Sequence, residues 1–218
     1  MIIDTHMHEN KYSFDSLISL DEIITTAKKV GLDGVCITNH DNATLIKETG
    51  SSFYKDGILV LVGAEILTTK GDIVVFNIDN LSEDKFLPNK LSPRELLSLV
   101  KANNGVAIAA HPYRKNNRGL GDHIYEVADI LDGVEAFNGS TPPHLNLTAY
   151  KTATELGLGI FGASDCHITK KIGSYATEFN GNIRDMKDFV EAVKSKDCCP
   201  VLSKPSGFER INIYNTLK

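Results

Sequence analysis

Two histidines one residue apart close the first apolar run of the chain, Ile2-Ile3-Asp4-Thr5-His6-Met7-His8. Side chains alternate faces along a strand, so His6 and His8 point the same way. At the carboxyl end of a buried strand they are placed to hold one divalent metal. The same chemistry recurs where later apolar runs stop. Residues 34–38 end in Asn39-His40-Asp41, 58–62 in Gly63-Ala64-Glu65, 105–110 in His111-Pro112, 133–137 in Asn138, and 159–163 in Ser164-Asp165-Cys166-His167. Each is weak alone, since a histidine after a strand is commonly a hydrogen-bonded structural residue and Glu65 could simply cap a turn. Five strand ends with one chemistry point to a shared metal site. Imidazole mixed with carboxylate, without thiolate, suits Zn, Mn or Fe rather than Ca, which prefers oxygen alone. The donors outnumber the needs of one ion, so two or three ions are expected, with Glu65 bridging. Ions roughly 3.5–4 Å apart can activate water and stabilise both attacking and leaving oxygens at phosphorus.

The intervening segments must bring these residues together. Ser19 with Glu22 reads as a capping box opening a helix to Val30, and Gly31 ends it. Ser92-Pro93-Arg94-Glu95 opens a second helix, to about Asn103, with an N-cap and a first-position proline. Further helices are predicted near 42–48, 122–131, 145–156 and 183–196, and further strands near 72–78, 175–179 and 210–214. Strands alternating with helices at βαβ spacing give an α/β fold. In such folds functional groups gather at the carboxyl ends of the strands. No linker, low-complexity stretch or charge block divides the chain, so residues 1–218 are expected to form a single domain. His123 and His144 fall at or inside helical pieces and read as surface residues.

At 218 residues, 42% hydrophobic and 23% charged, the composition is that of a globular enzyme-sized domain. A net charge of −5 gives no basic surface for a long nucleic acid footprint, although short ends or nucleotides remain open. No run approaches transmembrane length, and Asp4, His6 and His8 interrupt any leader-like stretch. Cys36, Cys166, Cys198 and Cys199 lack zinc-ribbon spacing, and the vicinal pair would form only a strained disulfide. A reduced, cytoplasmic protein is expected.

Asp4-Thr5-His6-Met7-His8, Tyr12-Ser13-Phe14-Asp15-Ser16, Ile37-Thr38-Asn39-His40-Asp41, Gly63-Ala64-Glu65, Ala110-His111-Pro112 and Ser164-Asp165-Cys166-His167 together resemble the motif blocks of the PHP (polymerase and histidinol phosphatase) superfamily, in order and rough spacing. The resemblance implies a distorted (β/α)7 TIM-like barrel with two or three metal ions at its C-terminal mouth. It implies that His6, His8, Glu65 and Asp165 hold one ion, Glu65 and His111 a second, and Asp15, His40 and His167 a third. A metal-bridging hydroxide would attack phosphorus, with Asp165, His167 and Arg114 as catalytic groups. Arg114 is the candidate for gripping phosphate oxygens, a solvated loop residue being its other reading. The chain departs from the family pattern in a loop one residue longer between His8 and Asp15. It also offers Asp72 where many relatives have a histidine after the Glu. Asp72 and Asn138 are open as ligand and substrate contact.

The leading expectation is a metal-dependent phosphoesterase hydrolysing a small phosphomonoester, histidinol-phosphate-like or nucleotide. A phosphodiesterase or exonuclease on nucleic acid ends is the second reading, and a non-catalytic metal-stabilised module the third. Substrate, native metal and oligomeric state are not spelled by the sequence.

Overall fold

The computed structural model describes residues 1–115 and 118–213. In chain order the elements begin β1 (Ile2–Met7), α1 (Leu20–Val30), β2 (Gly34–Ile37), α2 (Thr44–Thr49), β3 (Ser52–Lys55) and β4 (Ile58–Val62). They continue with β5 (Ala64–Thr68), β6 (Gly71–Phe76), α3 (Pro93–Ala102), β7 (Val106–Ala109), α4 (Ile124–Val127) and β8 (Gly133–Asn138). The last are α5 (Pro143–Leu156), β9 (Gly159–Ala163), β10 (Tyr175–Phe179), α6 (Met186–Ser195), β11 (Cys198–Lys204) and β12 (Gly207–Arg210). The helices with strong sequence signals form as expected. Capping boxes are closed at Ser19/Glu22 and Ser92/Glu95, and Gly31 takes the left-handed conformation that ends α1.

The strands divide between two sheets, ordered β12-β11-β10-β1-β2-β4-β3 and β5-β6-β7-β8-β9. Within them β1/β2/β4 and β7/β8/β9 run parallel, while β5/β6 and the β10–β12 meander are antiparallel. The fold is therefore α/β with mixed sheets. The expected (β/α)7 barrel is not what the hydrogen bonding gives, because neither sheet closes on itself. Two isolated parallel bridges join the sheets: Met7↔Cys166, at the carboxyl end of β1 and past that of β9, and His40↔Glu65, past the end of β2 and at the start of β5. The β5/β6 hairpin breaks the βαβ alternation read from the sequence. The helix predicted over 122–131 shortens to α4 after a 3-10 turn, because the chain must already turn into β8 at Gly133. The strand predicted over 210–214 is replaced by β11 and β12, and Tyr214 lies outside the described residues.

Ile3, Leu59, Leu61, Val74, Phe76, Ile108 and Phe161 from both sheets form one buried cluster, which α6 completes with Met186, Phe189 and Val193. Phe189 packs edge-on against Phe76 and Phe179. Phe76 pairs with Val106 at the start of β7, so α6 seals the end away from the strand carboxyl ends. A second cluster lies under the helices, with Ile23 and Ile24 of α1, Leu96 and Leu97 of α3, and Ala149 and Ala153 of α5. The opposite end of the first cluster is left for polar groups. Among the described residues, no helix is long and apolar enough to cross a membrane.

Candidate metal centre

Strand ends from both sheets meet at this polar end. His6 and His8 leave β1, His40 follows β2, Glu65 sits on β5, His111 follows β7, and Asp165 and His167 follow β9. Three of these turns use a positive φ on a non-glycine residue: Asp41 (49°), His111 (29°) and Asp165 (49°). Such conformations are costly and persist where surroundings hold them. Here each amide is tied down, Asp41 to the Glu65 carbonyl, His111 to the Glu135 carboxylate and Asp165 to the His6 carbonyl.

The donors fall into three overlapping groups. His6 Nε2 and His8 Nε2 approach to 2.9 Å, with Glu65 Oε2 at 3.3 and 3.4 Å and Asp165 Oδ1 at 3.7 and 3.4 Å from them respectively. His111 Nε2 meets Glu65 Oε1 at 2.8 Å, beside the same His6. Asp15 Oδ2 lies 3.2 Å from His40 Nε2 and 3.3 Å from His167 Nε2, and these two rings flank that of His8. The first two groups are buried, whereas Asp15 is 39% exposed and the third group opens to solvent. All eight residues expected as metal donors are thus brought into one place.

These residues fit a divalent cation. Glu65 Oε2 is buried and faces three imidazoles, His40 Nδ1 at 2.8 Å and the His6 and His8 Nε2 atoms at 3.3 and 3.4 Å, none in good hydrogen-bond geometry, an arrangement that costs about 1–3 kcal/mol when nothing compensates. Two imidazole nitrogens 2.9 Å apart, with carboxylate oxygens around them, converge their lone pairs on one region. The electrostatics agree. Burial pulls the His6 pKa down, but the Glu135, Glu65 and Asp165 carboxylates outweigh it and hold it well above its ordinary value. Burial, with the charge of His6 adding to it, takes His8 down to about 4. Burial would raise Glu65 and Asp165, yet the neighbouring histidines hold both well below the usual carboxylate range.

Two arginines stand over the donors. Arg114 Nη2 donates to Asp165 Oδ2 and, at 2.7 Å, to Asn138 Oδ1, while its Nε reaches Thr141 Oγ1 at 3.1 Å. Arg118 forks onto Asp72, Nε to Oδ2 at 2.7 Å and Nη2 to Oδ1 at 3.0 Å, and its Nη2 lies 3.3 Å from His40 Nδ1. Gly71 makes this reach possible. It takes φ +143°, and a Cβ there would stand 2.6 Å from Gly119 and Leu120 backbone atoms, so the loop carrying Arg118 rests directly on it. Asp72 Oδ2 is 3.9 Å from His111 Nε2, with both its oxygens on Arg118. A cavity of about 140 Å³ remains, lined by Asp15, His40, His111, Arg114, Arg118, Asp165 and His167.

Sequence reasoning passed over Arg118 and Glu135. Arg118 sits in a polar loop with nothing to mark it. Glu135 did leave a signal, a lone carboxylate inside the apolar run Gly133-Val134-Glu135-Ala136-Phe137. It is buried, with Oε1 2.6 Å from His6 Nδ1, and Oε2 accepting from the His111 amide and Asn138 Nδ2, both at 2.9 Å. His123 pairs with Glu126 on the surface and His144 is exposed, both away from the cavity.

Comparison with known proteins gives a consistent picture. A family model described as PHP-associated matches residues 143–198. The uncharacterized protein MJ1587 of Methanocaldococcus jannaschii is 38% identical over 148 residues, 63% of this chain and 82% of the relative. Among solved structures, a two-domain protein of Bacteroides vulgatus containing a predicted PHP-like metal-dependent phosphoesterase superposes with TM-score 0.64 at 17% identity. It covers 93% of this chain and 65% of that one. The lesion-specific endonuclease EndoQ of Pyrococcus furiosus superposes with TM-score 0.64 at 14% identity, over 89% of this chain and 56% of the endonuclease. The two structures share the fold, and this chain spans about three fifths of their length.

Proposed function

This chain belongs to the PHP (polymerase and histidinol phosphatase) superfamily, and on that footing we propose that it is a metal-dependent phosphoesterase hydrolysing a small phosphomonoester. The observation that carries the reading is the meeting of His6, His8, Glu65 and Asp165 around an unsatisfied buried carboxylate oxygen, with an arginine directly above. His6, His8, Glu65 and Asp165 would hold one ion, Glu65 and His111 a second, and Asp15, His40 and His167 a third, drawn from Zn, Mn or Fe. When bound, such ions supply Lewis acidity toward a phosphoryl oxygen and lower the pKa of a water. Arg114 orients the ester, its planar fork matching two non-bridging oxygens once it exchanges Asp165 for substrate. Arg118 offsets the charge of Asp72, so a phosphate entering the cavity meets guanidinium groups and no unpaired Asp72 carboxylate from that side. With no ion at the third position, His167, partly exposed beside Asp15, is placed to hand a proton to the departing alkoxide; with an ion there it would serve as a ligand instead. The small cavity admits a phosphate group and leaves the organic part outside. Residues 1–218 act as one domain in this reading, and four free cysteines suit a reducing cytoplasm.

The test is phosphate release after metal removal and reconstitution with Mn or Zn, across sugar, amino-alcohol and nucleotide monophosphates plus a short oligonucleotide. Metal-dependent release from one monoester class supports the proposal. Cleavage of the oligonucleotide alone would replace it with the second reading, a nuclease on nucleic acid ends, which the likeness to an endonuclease fold favours and the net charge of −5 opposes. Metal binding with no release from any of them would leave a metal-stabilised module.

A further inference from the structure

Behind the donors, Glu135 does not line the cavity yet contacts two of the candidate ligands, His6 and His111. Its Oε1 lies 2.6 Å from His6 Nδ1, and a carboxylate only accepts, so Nδ1 carries the proton. Its Oε2 accepts from the backbone amide of His111, the residue held at φ 29°. Asn138 Nδ2 donates to the same Oε2 and keeps the carboxylate from turning. His6 belongs to the group with His8 and Asp165 and also to the group with Glu65 and His111.

Resting on the metal-centre reading above, we infer that Glu135 is the positioning residue that couples the first two metal positions. With one oxygen it fixes the His6 tautomer whose Nε2 lone pair faces the donors. With the other it locks the strained turn that aims His111. A carboxylate behind a metal-bound histidine typically changes metal affinity about 10–100-fold when mutated. Here the same side chain also controls a second ligand through its backbone. Glutamine cannot replace it. Its amide either donates to His6 Nδ1, moving the proton to Nε2, or turns toward the His111 amide and Asn138 Nδ2, which are themselves donors.

The experiment is zinc titration against a competing chelator, in metal-free wild-type protein and in Glu135→Gln. Circular dichroism of both metal-free proteins accompanies it. The expected result is folded Glu135→Gln with zinc affinity about 10–100-fold weaker, both ions weakening together. Unchanged affinity, or loss of one ion with the other intact, overturns the inference. Should the variant not fold, the ¹⁵N shifts of the His6 ring in zinc-loaded wild type decide. A proton on Nδ1 with zinc on Nε2 supports it, and the reverse assignment overturns it. Wild-type protein that takes up none of zinc, manganese or iron overturns the metal-centre reading and this inference with it, whereas a defect confined to Glu135→Gln separates the two. Phosphate release plays no part in any of these readouts.

Discussion

Asp165 serves three neighbours with its two oxygens: Oδ1 faces His6 and His8, and Oδ2 is held by Arg114. Asp165→Asn keeps the shape, so turnover in the metal-reconstituted assay should fall at least about a hundredfold while circular dichroism stays unchanged. His8→Ala should do the same. Unchanged turnover in either would remove that residue from the chemistry. The thiols behave oppositely. Burial pushes Cys36 and Cys166 up and takes Cys198 up to about 12, and Cys199 is also raised. The thiolate fraction therefore grows only as pH rises toward those values. Native protein at pH 7.5 should resist iodoacetamide and label fully after unfolding, as mass spectrometry would show. At this scale the sequence was informative where chemistry ends a strand. His6, His8, His40, Glu65, His111, Asp165 and His167 each stand after an apolar run, and the structure gathers them. Glu135 was hidden because its partners, His6 and the His111 amide, lie far off in the chain.

Elements were legible where they carry their own start and stop signals. Both capping boxes form, and Ser92→Ala should cost about 1 kcal/mol in denaturant unfolding through loss of the α3 cap. The β5/β6 hairpin was not legible as such, because residues 64–68 lack a period distinguishing them from the end of β4. Gly63 is the hinge between the two strands. A Cβ there would meet the Val75 carbonyl at 2.4 Å and the Phe76 ring at 2.6 Å. Gly63→Ala should therefore destabilise the fold by about 1–3 kcal/mol and also weaken metal binding, since Glu65 moves with β5. Lost stability at unchanged metal affinity would show that the hairpin and the donor set are independent.

For the molecule as a whole, α/β alternation announced the layering but not the division into two sheets, which depends on pairings such as β1 with β10 that no local pattern encodes. That division would make a metal bound by the proposed donors a staple. His6, His8 and His40 extend from one sheet, and Glu65, His111 and Asp165 from the other. An ion at a hundred times its dissociation constant should add about 2.7 kcal/mol, so chelation should lower the melting temperature and re-addition restore it. A melting temperature indifferent to metal would mean that the sheets hold without it. The pairing of Ile2 with Glu178 has another consequence. On the ribosome the first strand emerges long before its antiparallel neighbour exists. At about 5–20 residues per second it waits on the order of tens of seconds with one edge open. For most of that interval the His-x-His pair is already made while Asp165 is not, so a nascent chain exposes half of the candidate metal centre and an unpaired strand edge to whatever chaperones or stray ions reach it first.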